Sequence, residues 1–297
     1  MPPHFAVQAY IFRKNIATST LNVLAAGHYD VGGTHHQLKA SIDAMRAATE
    51  LEPDRSPLLS DWREPDASLP SHTTQSIFSH ASSLVSLRKH ATDPAARVGV
   101  LNFANASSPG GGFEQGAQAQ EESLARSSTL YASLTSERGR PFYESHDTEP
   151  EGLYTNAMLW SPRVRFFRAD DGAWLVPVDA DVLTSPAVNA SEVRARLDGR
   201  VALSDVDQRI ADTMRERMAR VLRLFEVKQT THVVLGSFGT GAFGNDVATI
   251  ARIWAELLGP NGRFRASFPV VDFAIIDEAT LVKFKDAYEK RCEALAA

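Results

Sequence analysis

The sequence predicts an α/β fold, a sheet with helices packed on both of its faces. Three observations carry this. Val98 to Phe103 (VGVLNF) is a continuous apolar run, the pattern of a strand covered on both sides. From His232 to the C-terminus the chain reads strand, glycine-rich loop, helix, strand, helix, which is α/β order. The composition, 43% hydrophobic over 297 residues, is sufficient for a large core.

Taken in order, Leu21, Val23 and Leu24 form a strand-like or buried stretch that ends in a turn at Gly27. Leu38, Ile42, Met45 and Ala48 then recur at helical spacing. Pro53, Pro57, Pro65 and Pro70 break any helix between Glu52 and Ser71, which predicts an exposed connection. Ile77, Leu84 and Leu87 suggest another amphipathic helix. The strand Val98–Phe103 follows. After the glycine-rich segment behind it, Leu124, Leu130 and Leu134 mark an amphipathic helical stretch. Between Gly152 and Ser185, short apolar runs alternate with turn signals at Ser161-Pro162 and Asp170-Asp171-Gly172, predicting several short strands. Val206, Ile210, Met214, Met218, Val221, Leu222 and Phe225 describe a long amphipathic helix over 204–227, with Ser204 as its N-cap. The expected end of the chain is a strand over 232–235, a loop over 236–245, a helix over 247–258, a strand over 269–276 and a helix over 280–295.

Charge and cysteine content exclude several classes. A formal net charge of −5 gives no basic field for tracking nucleic acid. The single cysteine, Cys292, allows no intrachain disulfide and no cysteine-cluster metal site. No run approaches the 18 apolar residues of a membrane span, and the first residues lack a signal-peptide core, so the expectation is cytoplasm or nucleus, not secretion. The nine histidines show no ligand spacing, and no metal or cofactor is expected.

Chemistry concentrates in two loops. The first holds Gly110, Gly111 and Gly112, then Gln120, Glu121 and Glu122. Consecutive glycines admit positive φ and close approach, and successive free N–H groups make a concavity for an anion. Two carboxylates beside a phosphate site would repel it, so the acids are expected to face a different part of the same ligand. The second loop, Gly239-Thr240-Gly241-Ala242-Phe243-Gly244, fits GxGxxG between a strand and a helix. A dinucleotide-binding unit is excluded by context, since no second βαβ half follows and no acidic residue lies at the required distance. Glycines at a helix N-terminus still suit a diphosphate.

The words NFANASSPGGG, seven further residues, and then Gln120-Glu121-Glu122 resemble the signature of poly(ADP-ribose) glycohydrolases, in the compact bacterial and fungal branch. The YTNAMLWSP segment and the second loop are also similar. The resemblance implies a macrodomain-like three-layer α/β/α sandwich with a mixed central sheet and an N-terminal helical extension. It implies one catalytic unit over 1–297, with an accessory helical region over 1–95 and an ADP-ribose-binding core over 96–297. The implied substrate is poly(ADP-ribose) or an ADP-ribosylated macromolecule, the product ADP-ribose, and the setting reversal of ADP-ribosylation in the DNA damage response. Glu122 takes the role of general acid at the glycosidic oxygen, and Glu121 binds the ribose. Such an acid needs a raised pKa, because an ordinary glutamic acid is protonated only about one time in 500 at pH 7. Asn105, in the Asn102-x-x-Asn105 pattern, is placed on the ribose hydroxyls, and Phe243 orients the ribose of the scissile bond. Gly110, Gly111, Gly112, Phe113, Gln120, Gly239, Thr240, Gly241 and Ala242 complete the expected ADP-ribose contacts, with Phe273 as an adenine contact. A monomer acting from the chain end is expected. Two alternatives share the fold: a mono-ADP-ribosyl hydrolase, and a reader that binds ADP-ribose without cleaving it.

Overall fold

A mixed seven-stranded sheet carries the fold. The structure, a computed structural model, describes residues 3–65, 68, 71–147 and 152–297. In chain order the elements are α1 (Pro3–Ala26), the hairpin β1 (His28–Val31) and β2 (Thr34–Gln37), α2 (Lys39–Ala47), β3 (Glu50–Glu52), α3 (Pro57–Ser60), β4 (Gln75–Ser79) and α4 (Ser83–His90). Then come β5 (Val98–Phe103), α5 (Gln120–Arg126), α6 (Leu130–Leu134), α7 (Arg140–His146), β6 (Met158–Arg168) and β7 (Trp174–Ser185). The chain closes with α8 (Ala190–Leu197), α9 (Leu203–Val227), β8 (His232–Leu235), α10 (Val247–Leu258), β9 (Val270–Ala274) and α11 (Glu278–Ala296).

The strand order is β3-β6-β7-β5-β8-β9-β4. From β7 to β4 all pairs are parallel, and β6 is antiparallel to both β3 and β7. Side chains alternate between the faces. Leu101, Leu183, Val233, Leu235, Val271 and Phe273 join the core formed with α9, α10 and α11. Val98, Val100, Val182 and Val234 join the core on the other face, with α2, α4, α6 and α7. The result is a three-layer α/β/α arrangement with α1 added against α5, where Ala17 packs on Phe113 and Ala125. Among the described residues no helix is long and apolar enough to cross a membrane.

The strand at Val98–Phe103, the strand at 232–235 and the helix at 247–258 lie where the sequence places them. Other elements differ. Leu21, Val23 and Leu24 belong to α1, which stops at Gly27, a residue with φ +75°. Ile77 lies in β4 rather than in a helix; its backbone pairs with Asp272 of β9. Only Leu84 and Leu87 sit in the helix expected there, α4, and both are buried. The first 95 residues are therefore not purely helical, because they supply both edge strands, β3 and β4. The proline-rich connection is not simply exposed either: Leu59 and Trp62 are buried within it, and the Trp62 indole N–H donates to Glu216 at 3.0 Å. Pro70 lies outside the described residues. The segment expected as several short strands is one long hairpin, β6–β7, turning at Asp170-Asp171-Gly172. Ser161-Pro162 is a bulge in β6, where the register shifts before Val164, not a turn. Ala202, not Ser204, occupies the N-cap of α9.

Candidate active site

The two chemical loops leave the C-terminal ends of adjacent parallel strands. β5 pairs with β8 through Val98–His232, Gly99–Val233 and Val100–Val234, and each strand runs directly into one loop. At the strand ends Phe103 packs against Phe238, with ring centroids 5.3 Å apart, so the loops share a wall.

Gln120 opens α5 and pins it to β5. Its side-chain oxygen accepts from the Phe103 N–H at 2.9 Å, and its amide nitrogen donates to the Leu101 carbonyl at 2.7 Å and to Ser83 Oγ at 3.1 Å. These bonds extend the strand's hydrogen-bonding ladder through a side chain. Gln120, expected as a ligand contact, is thus a staple that sets where the next two residues stand.

Glu121 is only 2% exposed. Its Oε2 accepts from the Asn105 N–H at 2.7 Å and its Oε1 from Asn102 Nδ2 at 3.2 Å. Asn102 itself is fully buried and also donates to Thr184 Oγ1. Burial dominates and pushes the Glu121 carboxyl up to about 8. The donors at Asn105, Asn102 and Gly110 work against that rise, and the neighbouring Glu122 adds to it. At pH 7 Glu121 is therefore neutral roughly nine times in ten. The conflict between acids and a phosphate loop is eased, because one of the acids carries little charge. Glu122 is half-buried, and its Oε1 accepts from the Gly112 N–H at 3.1 Å.

The glycine triplet serves these carboxylates directly. Gly111 has φ +58°, and a Cβ there would lie 2.3 Å from Glu122 Oε1 and 3.3 Å from Glu121 Oε2. Its own N–H donates to the Ser108 carbonyl at 3.0 Å. The N–H groups of the triplet are thus engaged with Glu121, Ser108 and Glu122, and do not form the open anion concavity that the glycines suggest. Asn105 is exposed at the rim of this loop, with Oδ1 accepting from the Ser107 and Ser108 N–H groups at 2.8 and 2.9 Å. Phe113 is 1% exposed, lies under Gly110 and meets Tyr131 edge-on at 4.7 Å. It supports the loop from below rather than facing a ligand.

The second loop fits the anion role better. Among the described residues, no group accepts from the N–H of Gly241, Ala242 or Phe243. Gly241 and Ala242 are exposed, and a Cβ on Gly241 would meet nothing within 4 Å. Gly239 and Gly244 have structural reasons: both have positive φ, and a Cβ would meet Ala187 at 2.4 Å or Ser191 Oγ at 2.3 Å. Thr240 turns inward, its hydroxyl donating to the Ser237 carbonyl at 2.9 Å. Asp246 caps α10 behind the loop by accepting from Thr249 N–H. Phe243 is half-buried beside Tyr154, with centroids 6.2 Å apart.

Tyr154 was not singled out from sequence, although YTNAM was among the words that carried the resemblance. It holds φ +55°, an uncommon backbone state for a tyrosine. The fully buried Arg217 imposes it, donating to the Leu153 and Tyr154 carbonyls at 2.8 and 2.9 Å, to Pro186 O and to Asn156 Oδ1. Arg217 looks from sequence like one more polar position of a long helix, so only the fold reveals this role. Phe273 is the clearest correction: it is fully buried between Phe78, Phe284 and Tyr288, and cannot meet an adenine. One cavity, of about 270 Å³, lies between α8, α9 and α10 beside the second loop, where Asn245 and Asp246 line it, and another, of about 330 Å³, lies against α11; neither glutamate lines them.

Residues 17–169 match the family described as microbial-type PARG, catalytic domain. The poly(ADP-ribose) glycohydrolase of Thermomonospora curvata, solved with the inhibitor ADP-HPD, is 33% identical, with 94% of this chain and 98% of that chain covered and a TM-score of 0.80. The chain belongs to the microbial-type poly(ADP-ribose) glycohydrolase family. The Deinococcus radiodurans glycohydrolase, solved with ADP-ribose, is also 33% identical, covering 89% of this chain and all of that one, with a TM-score of 0.74. Among the curated proteins none matches. The activity of the family is that of a glycosidase.

Proposed function

We propose that this glycohydrolase removes ADP-ribose units from the end of poly(ADP-ribose), with Glu122 as the acid and then the base. The observation that carries the reading is the meeting of both carboxylates at the bare Cα of Gly111, one half-buried and one sealed in. Protonated Glu122 gives its proton to the glycosidic oxygen as the bond to the anomeric carbon breaks. Positive charge then spreads over that carbon and the ring oxygen. Water adds to the carbon and returns a proton to Glu122. A positioned acid of this kind contributes about 10²–10⁴ in rate. Glu121, anchored by Asn102 and Asn105, fixes the ribose without adding full charge beside a diphosphate. The unpaired N–H groups at 241–243 cradle that diphosphate, and Phe243, backed by Tyr154, sets the ribose plane.

Action from the chain end is supported by charge. A protein with net charge −5 has no extended basic track for a long polyanion, so its grip is local. The N-terminal 95 residues and the remainder act as one catalytic unit, since β3 and β4 complete the sheet that bears the site. The test is a time course on sized polymer. Free ADP-ribose from the first time point, with a slowly shortening polymer, is the expected result, and abundant mid-length oligomers early on would refute end-directed action.

A further inference from the structure

The second loop is closed at its neck by one side chain. Asn245 is 5% exposed, and its Nδ2 donates to the Gly239 carbonyl at 3.0 Å and to the Val188 carbonyl at 2.7 Å. Its own N–H donates to the same Gly239 carbonyl at 3.1 Å. The bonds to Gly239 draw the two ends of the loop together, and the bond to Val188 ties them to the segment between β7 and α8. Gly239 has to be bare for this, since a Cβ there would lie 2.7 Å from Asn245 Nδ2. The amide is held through its nitrogen alone: Oδ1 is buried and meets no donor among the described residues. A buried acceptor without a donor destabilises the fold, which points to a role for Asn245 beyond packing.

Two further carbonyls of the loop are taken by α8. The Ser191 N–H donates to the Phe243 carbonyl at 3.0 Å and Arg194 Nη1 to the Gly244 carbonyl at 2.9 Å, while Arg194 Nε is held on Asp207 of α9 at 2.8 Å. Inside the loop the Gly244 N–H donates to the Gly241 carbonyl at 3.0 Å. The carbonyl and N–H of one planar trans peptide point opposite ways, so this bond turns the Ala242 N–H to the other side. The backbone is thereby sorted. The carbonyls of Gly239, Gly241, Phe243 and Gly244 are engaged within the protein, and the N–H groups of Gly241, Ala242 and Phe243 are left free.

We infer that Asn245 is a positioning residue of the second loop, holding it in the shape that leaves those three N–H groups free and so setting the affinity of the enzyme for the diphosphate of its substrate. The inference rests on the reading of this loop as the diphosphate cradle. Several N–H groups bind one anion together only while their directions converge. Hydrogen bonds to a charged oxygen are strong but weaken steeply when the angle opens. Asn245 is buried and acts through the loop, not on the ligand. Without its Nδ2 the loop keeps the turn between Gly241 and Gly244 but loses its tie to Val188, and the free N–H groups no longer hold a common aim.

The experiment is calorimetric titration of ADP and of adenosine into wild type and Asn245→Ala, at a temperature where thermal unfolding shows both proteins folded. Alanine removes the donor and adds no charge, so a loss of ADP binding is not repulsion. The Kd for ADP should rise about tenfold in Asn245→Ala, while that for adenosine stays within about twofold. KM for the polymer should rise by a similar factor with a smaller fall in kcat, the mark of a lost binding contact. A variant that melts earlier but weakens for ADP and adenosine alike, or for neither, overturns the proposal and leaves a purely structural residue. If Asn245→Ala does not fold, nitrogen-15 spectra of wild type carry the test. The Asn245 side-chain amide signals must then shift on adding ADP and stay in place on adding adenosine, and any other pattern overturns the proposal. The underlying reading fails separately: wild type that binds adenosine as tightly as ADP, or binds neither, has no diphosphate cradle in this loop.

Discussion

Replacing Gly111 by alanine should disable the enzyme while leaving it folded. The added methyl would start 2.3 Å from Glu122 Oε1 and 3.0 Å from its carboxyl carbon. Restoring an ordinary separation of about 3.4 Å moves the carboxylate by roughly 1 Å and pulls it from the Gly112 N–H. A misplacement of about 1 Å at a reacting group can cost about 10² in rate, and kcat should fall by that order while KM changes by only a few-fold. The stability cost is separate. Alanine at φ +58° costs roughly 1–2 kcal/mol, a fall in Tm of a few degrees for a chain of this size. Gly33→Ala is the control: it has φ +74° and nothing within 4 Å of an added Cβ, so it should show the backbone cost without the loss of rate. ADP-ribose release, measured by chromatography beside thermal unfolding of each variant, separates the two effects. If Gly111→Ala retains activity within twofold of wild type, or loses no more than Gly33→Ala, the claim that the glycine exists to admit the carboxylates is wrong.

Further outcomes follow from the same geometry. Burial raises Glu121 from 4.5 to about 8, so the folded state holds the proton more tightly than the unfolded chain. Its contribution to stability is complete below about 4.5 and is lost as pH rises through about 8. The stability of wild type relative to Glu121→Gln should therefore decline from pH 5 to 8.5, by up to about 1.4 kcal/mol per unit, and a flat difference in denaturation midpoints would contradict the assignment. His146 has the opposite sign: burial, with Arg217 adding to it, lowers its pKa to about 3, so stability falls as pH drops below about 6.5, and His146→Phe should remove part of that acid sensitivity in thermal melts. Phe273→Ala should cost about 3–5 kcal/mol of stability through the cavity it opens, whereas Phe243→Ala should weaken turnover with less than half that loss, as denaturant unfolding and kinetics on the two variants would show.

Local pattern made much of this protein legible, and long-range pairing hid the rest. Val98–Phe103 was readable as a continuous apolar run, the pattern of a strand covered on both faces, and the 247–258 helix from the α/β order of the segments around it. β4 was not, because five residues with Ile77 in the middle become a strand only through Val270–Ala274, some two hundred residues on. α1 concealed itself because apolar residues such as Val7, Ile11 and Phe12 also lie on its exposed side, so no single apolar stripe marks it, and Ser161-Pro162 carried the signature of a turn while forming a bulge. At the site, the residue types and spacing of Gly110–Gly112 and Gln120–Glu122 announced the chemistry, but not its division of labour. The glycine N–H groups looked free for phosphate and prove to be engaged, two of them with the carboxylates themselves. Burial of Glu121 depends on Asn102 and Thr184 from two neighbouring strands, which no local pattern reports. Phe113 and Phe273 illustrate the limit from the other side: an aromatic beside a motif is as readily a support as a contact, and only burial distinguishes them.

The most direct test of the account is the incubation of purified poly(ADP-ribose) with wild type and with Glu122→Gln, products resolved by chromatography and ADP-ribose binding measured by calorimetry on both. The account predicts free ADP-ribose from wild type alone, with binding retained in both proteins. Comparable release from Glu122→Gln would contradict the central claim that Glu122 carries the proton, and binding without release by wild type would move the function to mono-ADP-ribosyl substrates or to recognition alone.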